Sequence, residues 1–439
     1  MMLAFLLLAV TSTLGSVAHA QGLGVIRVSP NADLPLAAPS PVVKAGGGTE
    51  AKAAWDAMWL DLKMSGYFEL QDPSGYLEKN AGIEPSQFTF GPWDTIGTAV
   101  LVKTQLIGLG DATCDPEGTR VCADLRIYNV NTEEQLSEKR FRGGPTSARH
   151  LGHAMANHVI EIVTGTPGYF GTRLAAVNAR TGNKEIYVLD SDGKGVQPVT
   201  RNGAINLSPA WAPDATEIAW TSYKKGNPDL YVKNLATGRT RTLSNARGVN
   251  TSPAFSPDGK MVAMSRSVDG DSDIFLLDAR TGAELRRVTR GGGIDVSPNF
   301  SPNGASLAFA SERSGGAQVY VMPVGSNSSE ARRVTFRGDF NIDPVISPDG
   351  ERFAFVGRSR GGFDIYVGDL EGRNIRRLTQ DMGDNEDPTW SPDSRYLVFS
   401  STRTGRSELW LATADGKQQA QITFDGNWTQ PTWMPARAR

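Results

Sequence analysis

Three of the four histidines, His150, His153 and His158, fall in one stretch with helical periodicity, Ser147 to Thr164. His150 and His153 share a helix face and could hold a metal ion. His158 lies well round the cylinder, and no neighbouring carboxylate or cysteine completes a ligand set. They therefore read as surface or core-edge histidines, and no metal is expected. Gly357-Arg358-Ser359-Arg360-Gly361 has the form of a nucleophile elbow, but it lies in a strand-to-strand loop with no helix after it. Residues 168–439 contain no His and no Cys, so the base that such a serine needs is missing there. Asp269, Asp271 and Asp273 resemble the start of a calcium loop, yet the Gly at the sixth position and the closing Glu are absent. Solvation of a turn accounts for them. The arginine pairs at 286/287, 332/333 and 376/377 read as solvated strand edges.

What positions these residues is a repeat. SPAFSPDGKMVAMSR at Ser252 recurs as SPAWAPDATEIAWTS at Ser208, SPNFSPNGASLAFAS at Ser297, DPVISPDGERFAFVG at Asp343 and DPTWSPDSRYLVFSS at Asp387, with QPTWMP at Gln430. The second prolines, Pro213, Pro257, Pro302, Pro348, Pro392 and Pro435, are spaced by 44, 45, 46, 44 and 43 residues. Each unit holds four short apolar runs separated by turn residues, which is the pattern of a propeller blade. Third-strand runs from Glu185 to Glu408 count six blades. The repeat opens on a second strand at Thr172 and closes on a lone first strand at Gln430, so the last strand is expected to complete the first blade and remove the open edge. The residues between the prolines, Trp211, Phe255, Phe300, Ile346, Trp390 and Trp433, are expected to pack between blades.

Before the repeat, residues 1–20 read as a secretory signal, with Ala18-His19-Ala20 at the cleavage position and a mature start at Gln21. Residues 21–48 are rich in Pro, Ala and Gly and read as extended and mobile. Residues 49–167 read as a small α/β (α+β) domain: a helix from Thr49 with Trp55, Met58, Trp59 and Leu62 on its packed face, three strand-like runs, and the histidine-bearing helix. Residues 168–439 form the all-β six-bladed propeller. Cys114 and Cys122 flank a turn-forming Asp-Pro-Glu-Gly and can meet across a hairpin. An oxidising compartment would close them, for roughly 2.5 kcal/mol of loop entropy.

Composition excludes little else. With 45 basic against 47 acidic residues there is no bulk attraction to nucleic acid or to an anionic membrane. The chain reads as exported and soluble.

A signal, a small α/β domain behind a loose N-terminal stretch, and six Ser/Asp-Pro-x-Trp/Phe-Ser-Pro-Asp-Gly repeats together resemble the TolB family, periplasmic components of the Tol-Pal cell-envelope system. The junction HLGHAMANHVIEIVTGTPGYFGTRLAAV, residues 150–177, is similar to that family's passage from helix to first propeller strand. The resemblance implies a monomeric, non-enzymatic, cofactor-free periplasmic protein. It also implies docking of the peptidoglycan-associated lipoprotein Pal at the mouth of the propeller channel. In this sequence the matching positions are Val249, Asn250, Thr251, Ser252, Asp295, Val296 and Ser297, with Asp343 and Asp387 as equivalents on later blades. Turn capping is an equal reading of each of these residues alone. The family's N-terminal stretch engages the inner-membrane protein TolA; here Val25, Ile26, Arg27 and Val28 occupy it, although PLAAPSPVV departs from the usual continuation. The alternative is an exported propeller hydrolase or lyase, or its substrate-binding module.

Overall fold

The computed structural model describes residues 35–43, 49–78, 81–268, 270–291, 293–359, 362–380 and 383–436. The signal, Val25–Val28 and Asp269 lie outside the described residues. The N-terminal part comprises β1 (Leu36–Val43), α1 (Thr49–Met64), β2 (Glu69–Leu70), α2 (Gly91–Thr95), β3 (Val100–Ile107), β4 (Val121–Asn129), β5 (Glu134–Gly143) and α3 (Ala148–Thr164). They build one mixed sheet in the order β2-β1-β3-β4-β5. β1 runs parallel to both neighbours and the other pairs are antiparallel.

β1 corrects the expectation that the whole of 21–48 is mobile: Leu36–Val43 is an inner strand of this sheet. Its prolines concealed it. The carbonyls of Pro35 and Ala37 accept from Glu69 and Gln71 on the β2 side, whereas Leu36 accepts from Ala99 on the β3 side. Pro39 and Pro41 share the parity of Ala37, so their missing N–H groups face past the end of the two-residue β2 and cost no ladder bond. There the Pro39 carbonyl accepts the Tyr76 hydroxyl at 2.9 Å.

The packed face of α1 also differs from the expected one. Ala51, Ala54, Ala57, Met58, Asp61 and Leu62 are buried, whereas Trp55 and Trp59 sit half-buried at its flank. Small residues win this face because α3 approaches so closely that a Cβ on Gly152 would lie 2.1 Å from the Ala54 carbonyl oxygen. Cys114 and Cys122 are disulfide-bonded across the β3–β4 hairpin, with Cα atoms 5.5 Å apart.

The remainder is a ring of six four-stranded antiparallel blades. Innermost strands are Asn206–Trp211, Asn250–Phe255, Asp295–Phe300, Asn341–Ile346, Asn385–Trp390 and Trp428–Trp433. The last of these pairs with Arg173–Asn178 and closes the first blade as expected. Aromatic residues between the prolines pack at the joints. The indoles of Trp211 and Trp390 donate to the Thr432 and Val345 carbonyls of the preceding blade at 3.2 and 3.0 Å. The arginine pairs lie on the outermost strands, with Arg332 and Arg376 exposed as expected, but they also bond across blades. Arg286, Arg332 and Arg376 donate to carbonyls of the next blade's hairpin, at Val324, Leu370 and Asp415. Arg287 and Arg377 pair with the buried carboxylates of Asp273 and Asp364. A guanidinium can bridge blades while its charge stays at the rim.

One apolar core runs through both parts, joining α1, α3 and β3 to Phe170, Leu174, Tyr396, Trp428 and Trp433. Polar groups reinforce the junction. Tyr396 donates to the Ser65 carbonyl at 2.8 Å, and His153 lies between Asp61 of α1 and Asp192 of blade one, 2.5 and 3.3 Å away. His153 is thus fully buried, not at a surface or core edge. Its carboxylate partners come from distant sequence. Among the described residues no helix is long and apolar enough to cross a membrane.

Candidate partner-binding site at the propeller mouth

Every innermost strand carries a bulge. Ser208, Ser252, Ser297, Asp343, Asp387 and Gln430 have φ of 51, 53, 54, 49, 56 and 50°. Each precedes a proline, and strand register slips there in all six blades. A left-handed backbone costs an L-residue roughly 1–2 kcal/mol, so six of them need compensation. The bulges supply part of it to one another. Ser297 Oγ donates to Asp343 at 2.5 Å, the Gln430 amide donates to Asp387 at 3.0 Å, and the Ser208 amide donates to Gln430 Oε1 at 2.8 Å.

These residues form the waist of the channel. Toward the α/β part lies a cavity of about 650 Å³, walled by the bulges and by both prolines of every repeat. Burial raises the carboxyl of Asp343 above its usual range, and pushes Asp387 up to about 7, with the charge of Asp343 adding to the effect. Glu386 is raised too, first by burial and then by Asp384 and Asp343.

Toward the other side, the loops that lead into the innermost strands meet the turns between second and third strands. The Tyr223, Ser267 and Glu312 amides donate to the carbonyls of Ile205, Val249 and Ile294 at 2.9, 3.0 and 3.1 Å. The α/β part contacts the opposite face, through Tyr396 and the blade-one turn at Asp190 and Asp192, and its described residues leave this mouth face clear. Large apolar side chains stand exposed on it: Ile205 46%, Val249 44%, Ile294 42%, Phe336 65% and Phe424 71%. Grouped exposed hydrophobics on a soluble surface mark interaction sites.

The residues singled out from sequence separate into three layers. Val249 is on the exposed rim. Asn250 and Asp295 are buried and committed: Asn250 donates to Ala246 and Gly248 at 2.7 and 3.1 Å and accepts from Ser244 at 2.9 Å, while Asp295 pairs with Arg313 at 3.2 Å. Ser252, Ser297, Asp343 and Asp387 are the waist, with Thr251 and Val296 half-buried just above it. Ile205, Ile294, Phe336 and Phe424 were not singled out. Ile205 and Ile294 carry a sequence signal, because like Val249 they stand one position before the Asn or Asp that opens the innermost strand.

Among the described residues the other candidates are not brought together into a catalytic arrangement. Ser359 ends a strand, Arg352–Ser359, that hairpins into Gly362–Asp369, with no helix to present a nucleophile. Asp273 is consumed by Arg287 and Thr289. Among the described residues no three His, Cys, Asp or Glu side chains are placed to hold a metal ion.

Fold and mouth together define a six-bladed propeller with a shaped, partly apolar surface round its channel mouth. The chain belongs to the TolB family: residues 160–437 match the family model described as the TolB beta propeller domain, and residues 25–136 match the TolB amino-terminal domain. It is 35% identical over 176 residues to the Tol-Pal system protein TolB of Geobacter metallireducens, a stretch covering 39% of each chain. Identity with the protein of that name from Syntrophotalea carbinolica is 36% over 165 residues, 37% of this chain and 36% of that one. These alignments span less than two fifths of the relatives' length. The crystal structure of TolB from Acinetobacter baumannii superposes with a TM-score of 0.80 at 27% identity, covering 92% of this chain and 98% of that one.

Proposed function

We propose that the chain works as a non-enzymatic periplasmic component of the Tol-Pal system. It docks the globular domain of the peptidoglycan-associated lipoprotein Pal on the mouth face and links it to inner-membrane Tol proteins. Envelope integrity and outer-membrane constriction during division are the processes served. The observation that carries the reading is the group of exposed apolar side chains Ile205, Val249 and Ile294 round the channel mouth, on a chain of this family. Thr251 and Val296 line the descent behind them, with Ser252, Ser297, Asp343 and Asp387 at the waist, and Asn250 and Asp295 hold the loops in place. Contact with TolA falls to the stretch holding Val25, Ile26, Arg27 and Val28, which lies outside the described residues.

Calorimetric titration of the purified chain with the soluble domain of the same organism's Pal tests the docking. Saturable binding that weakens at least about tenfold in Val249→Asp and Ile294→Asp, with melting temperatures unchanged, is the expected result. Absence of binding by the folded wild-type chain would sink the reading. Turnover of a pooled peptide or polysaccharide substrate would instead favour an exported propeller hydrolase or lyase.

A further inference from the structure

The mouth face carries charge as well as apolar surface. Arg201, Lys224, Arg247, Arg290, Arg337 and Arg358 follow one another round the mouth, from the joint between blades one and two as far as blade five, and all are exposed. None forms an ion pair with a carboxylate among the described residues, unlike neighbours such as Arg180 with Asp425 and Arg266 with Glu284. Two are held in place by ring faces: Lys224 Nζ lies 3.6 Å from the Tyr231 centroid, and the Arg358 guanidinium 4.6 Å from that of Phe340. Asp271, Glu312 and Asp339 stand exposed among them, so the arc keeps an excess of positive charge on a chain with 45 basic and 47 acidic residues. In the remaining sector Lys184 and Arg406 are exposed as well, while Asp425 is committed to Arg180 and to the Trp428 indole, and Asp384 accepts from the Phe363 amide.

We propose that this arc is the electrostatic half of the docking surface, fitted to a folded protein domain whose contact face bears carboxylates around an apolar centre, and that it sets how fast that domain arrives. The inference rests on the docking reading above. Ile205, Val249 and Ile294 immediately precede the innermost strands and so group round the channel opening. A protein knob seats against such a ring, whereas a flat lipid surface gains little from it. Exposed cations round a binding mouth raise association rates through long-range attraction, and salt screens it.

Stopped-flow association with the soluble Pal domain, at about 50 and about 300 mM salt, tests this with the wild-type chain and the double variant Arg247→Glu/Arg290→Glu. Both substitutions are on exposed loops, and circular dichroism verifies the fold. The wild-type association rate should fall roughly tenfold over the salt range. The double variant should start about tenfold slower, converge with wild type at high salt, and dissociate within about twofold of the wild-type rate. Association that ignores both salt and the charge reversal overturns the arc while leaving the docking reading intact. Failure of the wild-type chain to bind Pal at all removes the docking reading. Phosphatidylglycerol vesicles then decide what the arc does: salt-sensitive capture abolished in the double variant would make it a lipid contact, and no capture would leave it without a partner, either of which overturns the proposal.

Discussion

Trp433 donates its indole N–H to Thr172 Oγ1 at 2.8 Å, joining residues 261 positions apart. The bond ties the last innermost strand to the turn where the propeller begins, and Trp433 itself is only 7% exposed. Closure of the ring therefore depends on a joint made by the ends of the repeat region.

Trp433→Ala should lower the unfolding free energy by about 3–5 kcal/mol, because it removes a buried ring and leaves a cavity. Thr172→Val removes one hydrogen bond and should cost about 1 kcal/mol. Removal of all residues after Asn427 deletes the strand and exposes Arg173–Asn178 as a free edge, which should abolish cooperative unfolding. Urea titration distinguishes the three; an unchanged midpoint in the truncated chain would refute closure.

The junction predicts a pH dependence. Burial alone would lower the pKa of His153, but its bonds to Asp192 and Asp61, and their charges, outweigh burial and raise it to about 9. Asp61 is pushed up to about 6 by burial against the pull of His153, and Asp192 is held down to about 2 by His153 and Arg149 in spite of burial. Arg149, His150 and Asp190 complete the surrounding charges. A group whose pKa is higher folded than unfolded contributes stability below its unfolded pKa and loses it as pH rises through the folded one. His153 should therefore contribute in full below about 6.5 and progressively less up to about pH 9, a fall on the order of 3 kcal/mol. Asp61 adds a decline between about pH 4 and 6, and Asp192 a loss only as pH drops toward 2. In His153→Gln the decline above pH 6.5 should disappear from denaturation curves collected across pH; a slope equal to wild type would reject the assignment.

Asp387 gives the opposite result on substitution. With its carboxyl raised to about 7, its charged form is disfavoured in the fold, so its contribution is present below about pH 4 and lost as pH passes 7. Asp387→Asn keeps an oxygen for the Gln430 amide and removes the charge beside Asp343. Scanning calorimetry should show a higher melting temperature than wild type at pH 8 and little difference at about pH 4. Equal shifts at both values would mean that charge at the waist is not the cause.

The sequence alone determined the propeller. A period near 44 residues with the same turn and proline chemistry in each unit leaves few architectures that bury the repeated apolar runs, and the unmatched strands at Thr172 and Gln430 reveal how the ring closes. It also placed Cys114 beside Cys122, because a short turn brings both to one hairpin. Long-range packing decided the rest. The proline-rich strand β1 was hidden because proline is tolerated there only through the shortness of β2, a fact of pairing and not of propensity. The buried alanine face of α1 depends on the close approach of Gly152, and the burial of His153 depends on carboxylates from Asp61 and Asp192. At the mouth, one sequence motif supplies buried anchors such as Asn250 and exposed side chains such as Val249 in adjacent positions. The innermost strand begins at Asn250 and leaves Val249 on the loop that leads into it, and only the assembled ring shows which neighbours remain uncovered.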